Sequence, residues 1–273
     1  MNAVAEAERT ARRTAGHPAL AAAARFGLAG FGVLHLLIAW LAYRIAVGAP
    51  AGEGDQSGAL AYLAAQPMGR PLVGGIAAGL AAMALWQLLE AAVGHRGRSG
   101  ARRTAERLVS AGRAVVYAYL GTTAVKVLAR AARSGADQQQ AVSARLMDTG
   151  PGRAAVVAAG VVVAAIGVGL AVYGVTRGFR KHLHTGRMTA AVRRLALAAG
   201  AVGYTAKGAA YALAGALLVV AGVTSAPARA RGLDAALRGL ADQPHGGYLL
   251  IGVAAGLATY GGYCFVQAGY RKV

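Results

Sequence analysis

Six apolar stretches set the possibilities for this chain: Phe26–Gly48, Pro71–Val93, Leu108–Ala129, Ala154–Thr176, Ala199–Gly222 and Tyr248–Ala268. A helix rises about 1.5 Å per residue, so roughly 20 predominantly apolar residues cross a hydrocarbon core about 30 Å thick. Inside lipid every backbone N–H and C=O must find a partner within the protein, and a helix provides one for each. The spacing therefore predicts an all-α integral membrane protein with six transmembrane helices. Composition agrees with it. The 56% hydrophobic and 14% charged content departs from the roughly 25% charge of ordinary soluble domains, which argues against a soluble enzyme or a disordered chain. One cysteine in 273 residues excludes a disulfide scaffold. The first span is longer than the 7–15-residue apolar core of a signal peptide and matches later spans, so it is read as retained.

The net charge of +19 comes from 25 Arg and 4 Lys set against 10 acids. These basic residues gather in short segments between the spans, and no aromatic-interleaved basic face of a nucleic-acid module is present, so no nucleic-acid partner is expected. The expected partners are membrane lipids, with anionic headgroups meeting the basic linkers. Seventeen Lys and Arg fall on the side holding the N-terminal segment, the 96–106 linker, the linker after the fourth span and the C-terminus, against eight on the other side. By the positive-inside rule both termini are expected to face the cytoplasm across the plasma membrane.

The spans repeat. Arg25 to His35 aligns with Arg107 to Tyr117 at an offset of 82, and with Ala201 to Tyr211 at an offset of 176. In this register Phe31, Arg113 and Lys207 are equivalent, as are His35, Tyr117 and Tyr211. The following segments repeat as well: Leu63 to Gly69 matches Leu240 to Gly246, and Gly79 to Met83 matches Gly169 to Tyr173 and Gly256 to Tyr260. Such a period marks one supersecondary unit used three times. The units are 25–95, 107–184 and 194–273, preceded by a basic segment 1–24 and joined by basic linkers 96–106 and 185–193. Two helices per unit make all copies run in the same sense, related by an axis along the membrane normal, and closure would give a pseudo-threefold arrangement. Asp55, Asp137 and Asp234, each close to apolar residues at helical spacing, predict a short capped helix between the long ones of each unit. Gly75-x-x-x-Gly79 and Gly252-x-x-x-Gly256 are expected packing faces.

Gly203-Tyr204-Thr205-Ala206-Lys207-Gly208-Ala209-Ala210-Tyr211, with its weaker copies around Arg113 and Phe31, resembles the bacterial membrane family catalogued as domain of unknown function 1206. The resemblance covers about residues 25–273. It implies tandem two-helix membrane units and no activity.

A charge at the bilayer centre costs roughly 2.5–3.5 kcal/mol on insertion scales, so charged residues within spans are candidates for function. Arg44 and Lys126 lie near span ends and read as interfacial anchors. Arg113 and Lys207 lie deeper, at equivalent positions, and would either snorkel or line an inward cavity that attracts anions or lipid headgroups. Glu90, the acid within the spans, could pair with either of them. His35 reads as a neutral imidazole bonded between helices, with a proton relay as the alternative. His182-x-His184 lacks a carboxylate or thiolate partner for a metal, and Cys264 stands alone. No metal site and no cofactor are expected, and without a nucleophile, zinc or phosphate-loop motif the chain is not expected to be an enzyme. The first functional reading is a structural or interaction module of the membrane. The alternative is a small-molecule or ion carrier or channel with a site near the repeat axis, which polar residues converging on a cavity would favour.

Overall fold

The structure, a computed structural model, describes residues 18–94, 100–130 and 134–270. Of the basic residues that orient the chain, Arg9, Arg12, Arg13, Arg96, Arg98, Arg133, Arg271 and Lys272 lie outside these. Among the described residues there are nine α-helices and three short 3₁₀ segments, and no strand. The long helices are α1 (Pro18–Ala46), α3 (Gly69–Val93), α4 (Gly100–Leu128), α6 (Gly150–Val175), α7 (Ala190–Thr224) and α9 (Gly246–Tyr270). Between them lie three short ones, α2 (Gln56–Ala64), α5 (Gly135–Met147) and α8 (Gly232–Ala241), one per repeat as expected.

Among the described residues five helices are long and apolar enough to cross a membrane: α3, α6, α7, α9 and the Arg25–Ala46 part of α1. The helix expected as a further span, α4, is as long but is not among them. Arg113, Lys126 and the hydroxyl-bearing Tyr117, Tyr119, Thr122 and Thr123 make it more polar than its neighbours. Helix α7 begins well before the expected Ala199 because Thr189 caps it, its hydroxyl accepting from the Val192 amide at 3.3 Å.

The short helices start and stop for local reasons. Asp55 caps α2 by accepting from the Gly58 amide at 2.9 Å. Helix α5 is capped by Ser134, which accepts from the Asp137 amide at 2.8 Å, rather than by Asp137 itself. Each short helix then turns into a long one on a glycine. At Gly69, Gly152 and Gly246 a Cβ would run into the carbonyls of Leu63, Leu146 and Leu240 respectively. The three turns are copies of one another, although the second was not apparent in the sequence register.

These short helices form a polar cap at one end of the molecule. Asp234 is fully buried on α8 and accepts from the Gly54 amide at 2.9 Å and from Arg238 Nε at 3.0 and 3.1 Å. Arg231 spans from Asp234 to Asp137 at 2.6 Å. Glu53 accepts from the Ser134 hydroxyl and from the Gly135 amide, tying the first repeat to the second. Burial, reinforced by the neighbouring Asp55 carboxylate, raises the Glu53 pKa above its usual value.

Beneath the cap the long helices pack as a sequence of neighbours: α4 on α3, α3 on α1, α1 on α9, α9 on α7 and α7 on α6. The α6–α7 contact is the most extensive of these. It rests on glycines every seven residues, Gly160, Gly167 and Gly174 on α6 against Gly208, Gly215 and Gly222 on α7. A methyl on Gly160 would sit 2.7 Å from the Val219 nitrogen, and one on Gly174 2.8 Å from the Thr205 nitrogen. Gly75-x-x-x-Gly79 also packs, with Gly79 against Gly27 and Gly75 against Phe26. Of the other pair, Gly256 meets Ala206 while Gly252 faces open space. No comparable packing joins α4 to α6, the two long helices of the second repeat.

Candidate functional site

The gap between α4 and α6 leads into a cavity of about 490 Å³ lined by all three repeats. Phe31 comes from α1, Arg113 and Tyr117 from α4, Tyr173 from α6, Tyr204 and Lys207 from α7, and Tyr260 and Gln267 from α9. The repeat-equivalent residues Phe31, Arg113 and Lys207 thus reach one space. Volumes of about 300–1,000 Å³ are those in which proteins hold small ligands.

Lys207 is the centre of this site. It is 8% exposed, and its ammonium lies 4.3 Å from the centre of the Tyr260 ring, 4.8 Å from that of Phe31 and 5.8 Å from that of Tyr211. Ring faces carry the negative lobe of the aromatic quadrupole, so a desolvated ammonium gains about 2 kcal/mol or more from such contacts. Arg113 in contrast is exposed and stands at the cavity mouth. The lining has no Asp or Glu, and the ion pairs of Asp137 and Asp234 with Arg231 and Arg238 lie away from it in the polar cap. Glu90 is half-buried on α3 and is not part of the lining to which Arg113 and Lys207 belong.

His35 is buried behind the cavity wall. Its Nδ1 donates to the Phe31 carbonyl of its own helix at 2.8 Å, and its ring meets those of Phe31 and Tyr260 at 4.3 and 4.7 Å. The bond expected between helices is therefore a bond within one, and aromatic contact does the interhelical work. Arg44 is half-buried in the last turn of α1 and Lys126 exposed in the last turn of α4. His182 Nδ1 lies 2.9 Å from the Tyr173 hydroxyl. Among the described residues no group of three or more His, Cys, Asp or Glu could hold a metal ion.

The sequence reading missed the aromatic wall. Tyr204 contacts Tyr173, Tyr260, Tyr263 and Phe179, with ring centres 5.1–5.7 Å apart, and the Gln267 amide donates to its hydroxyl at 3.3 Å. A signal was available, since Tyr173 and Tyr260 occupy the same place in the second helix of their repeats. What the register lacked was the face on which they stand.

The gap itself has a cause in single residues. In the first repeat Gly27 meets Gly79, and in the third Gly203 meets Tyr260 and Ala206 meets Gly256, so both hairpins close backbone to backbone. The residue equivalent to Gly27 and Gly203 is Val109, which is 53% exposed at the cavity edge, and Gly169, the counterpart of Gly79, has nothing within 4 Å of where a side chain would begin.

A family described as Domain of Unknown Function (DUF1206) matches residues 26–94, 108–177 and 202–271, starting at the same offsets of 82 and 176 that align the repeats. The chain belongs to this family. A relative from Bacillus subtilis (strain 168), "Uncharacterized protein YxxB", is 29% identical over 251 residues, covering 91% of this chain and 90% of its own. No solved structure matches the chain significantly. Within the DUF1206 chain the three matched segments correspond to the three hairpins whose residues meet at the cavity.

Proposed function

We propose that this DUF1206 protein is an anion carrier of the bacterial plasma membrane, with α4 as a sixth span, both termini in the cytoplasm and the three repeats arranged about a pseudo-threefold axis on which the ligand binds. The observation that carries this reading is Lys207, a cation buried among aromatic rings in a cavity to which every repeat contributes and whose lining holds no acid. The same observation moves the balance from an interaction module to a carrier, since a module would need only a dry, small-residue axis. A second cavity of about 480 Å³, lined by Gln56, Tyr119 and Tyr211 among others, lies on the cap side. Of the repeat-equivalent residues His35, Tyr117 and Tyr211, Tyr117 lines the first cavity and Tyr211 the second. Tyr211 is held there by the Gln56 amide, which donates to its hydroxyl at 3.0 Å. Two cavities at successive depths along α4 and α7 suit alternating exposure of a central site. Binding and passage are the proposed roles, with no bond made or broken.

The test is transport by the full chain reconstituted in vesicles, with two probes: radiolabelled inorganic phosphate, and nitrobenzoxadiazole-labelled phosphatidylglycerol followed by dithionite quenching. At least one should cross in the natural protein and cease to cross in Lys207→Met. If neither crosses, the carrier reading is wrong; if crossing persists in the variant, the site is wrong.

A further inference from the structure

We infer that the ligand is an amphiphile, an apolar chain bearing an anionic phosphate or carboxylate headgroup, and that it reaches the site sideways from the bilayer between α4 and α6. The inference rests on the proposed anion site and names its substrate class. The cavity is asymmetric in polarity along the direction of this gap. At the mouth stand Val109, Val116 and Ile166, all more than half exposed and all on helix faces that no other helix covers, with Leu170 behind them. At the inner end stand Lys207, Gln267 and the tyrosine hydroxyls. A fully hydrated anion would have to shed water to pass Val109, Val116 and Ile166, and of the residues at the mouth Arg113 alone could replace part of it. An amphiphile already dissolved in the bilayer meets matching surfaces throughout, with its chain against Val109 and Ile166 and its headgroup against Lys207, and Arg113 beside the mouth draws that headgroup in.

The backbone supports the same direction of approach. The first and third hairpins are closed by glycines, and the one that is open carries Val109 in place of glycine and a bare Gly169 opposite. On α4 Gly112 also lines the cavity, with nothing within 4 Å of the position a Cβ would take. Val109 thus holds the hairpin open, and at Gly112 and Gly169 no side chain fills the space that results.

The experiment uses the full chain purified in detergent and native mass spectrometry with three probes: phosphatidylglycerol, phosphatidylcholine with the same acyl chains, and glycerol 3-phosphate as a headgroup without chains. Phosphatidylglycerol should be retained about tenfold better than phosphatidylcholine, and glycerol 3-phosphate should not be retained. Gly112→Trp fills the mouth without touching Lys207, and it should lower phosphatidylglycerol retention about tenfold while the thermal midpoint stays unchanged. Lys207→Met should abolish the preference for the anionic lipid; should that variant fail to fold, Gly112→Trp alone decides. Equal retention of the two lipids, or retention indifferent to Gly112→Trp, overturns the inference. Lys207-dependent retention of glycerol 3-phosphate overturns it too, while leaving the anion site standing. If no probe binds in a Lys207-dependent way, both fall.

Discussion

Gly27 and Gly79 face each other across the first hairpin so closely that a methyl group added to Gly79 would lie 2.7 Å from the Gly27 Cα. Neither backbone can retreat without moving a whole helix, because α1 is also held by α9 and α3 by α4. Gly27→Val should therefore push α1 from α3 and destabilise the protein by about 1–3 kcal/mol, the usual cost of overpacking. Unfolding in detergent would measure it. Gly169→Val is the matched control, since that position in the open hairpin has no neighbour, and it should leave the midpoint within error.

Gly167→Leu addresses the close backbone packing of α6 on α7. A methyl there would sit 2.7 Å from the Ala212 Cα, and α6 is otherwise largely exposed along its length. Lipid tails are as apolar as the helix surface, so close backbone packing rather than the hydrophobic effect holds such a pair together. Loss of more than about 3 kcal/mol or failure to accumulate is expected. A variant as stable as the natural protein would show that α6 is held by something else.

What the sequence made legible follows from what repeats in it. Five of the six expected spans, the short helix of each repeat, and the register bringing Phe31, Arg113 and Lys207 together all follow from hydropathy and self-similarity. The cavity did not, because it arises from a departure from the repeat: Val109 in place of the glycine that closes the other hairpins. The seven-residue glycine spacing of α6 and α7 was equally present, but in a chain with 40 glycines no spacing stands out until the helix faces are known. Lys207 was recognisable as a charge within a span, yet its partner Phe31 comes from another repeat and Tyr260 from the other long helix of its own, and local pattern gives no pairing between helices.

The cap makes a prediction about stability. Asp234 satisfies the Gly54 amide and neutralises Arg238 and Arg231 from a fully buried position. Asp234→Ala leaves that amide without its acceptor and Arg238 without its counter-charge, while Arg231 keeps its pair with Asp137. The expected loss is about 1.5–3 kcal/mol, read as a lower thermal midpoint. Asp234→Asn keeps one acceptor and should lie between the two.

Glu53 makes a prediction about pH. Its pKa is raised in the folded protein, by burial first and by Asp55 second, so the folded state holds this proton more tightly than the unfolded chain does. The stabilisation from the bound proton is complete below the unfolded pKa and is lost as pH rises through the folded one. Thermal midpoints of the natural protein should thus fall with pH in the window just above 4.5 by more than those of Glu53→Gln. The difference should stay below about 1 kcal/mol because the carboxylate is largely exposed to screening. A natural protein that gains stability relative to the variant across that window would reverse the sign and refute the assignment.

Lys207→Met gives the sharpest contrast between stability and function. Holding a charge in the hydrocarbon costs roughly 2.5–3.5 kcal/mol on insertion scales, and the ring contacts return about 2 kcal/mol, so packing alone gives no reason to keep the cation. Methionine is similar in length, and its sulfur packs favourably against aromatic rings. The thermal midpoint of Lys207→Met should equal or exceed that of the natural protein, while Lys207-dependent anion binding disappears. Substitutions that stabilise a protein and remove its activity are expected where a residue is kept for function at the expense of the fold. If Lys207→Met instead unfolds the protein while Tyr260→Leu, which removes the nearest ring, is tolerated, the ammonium would be holding the helices together by a bond other than these rings, and its role would be structural.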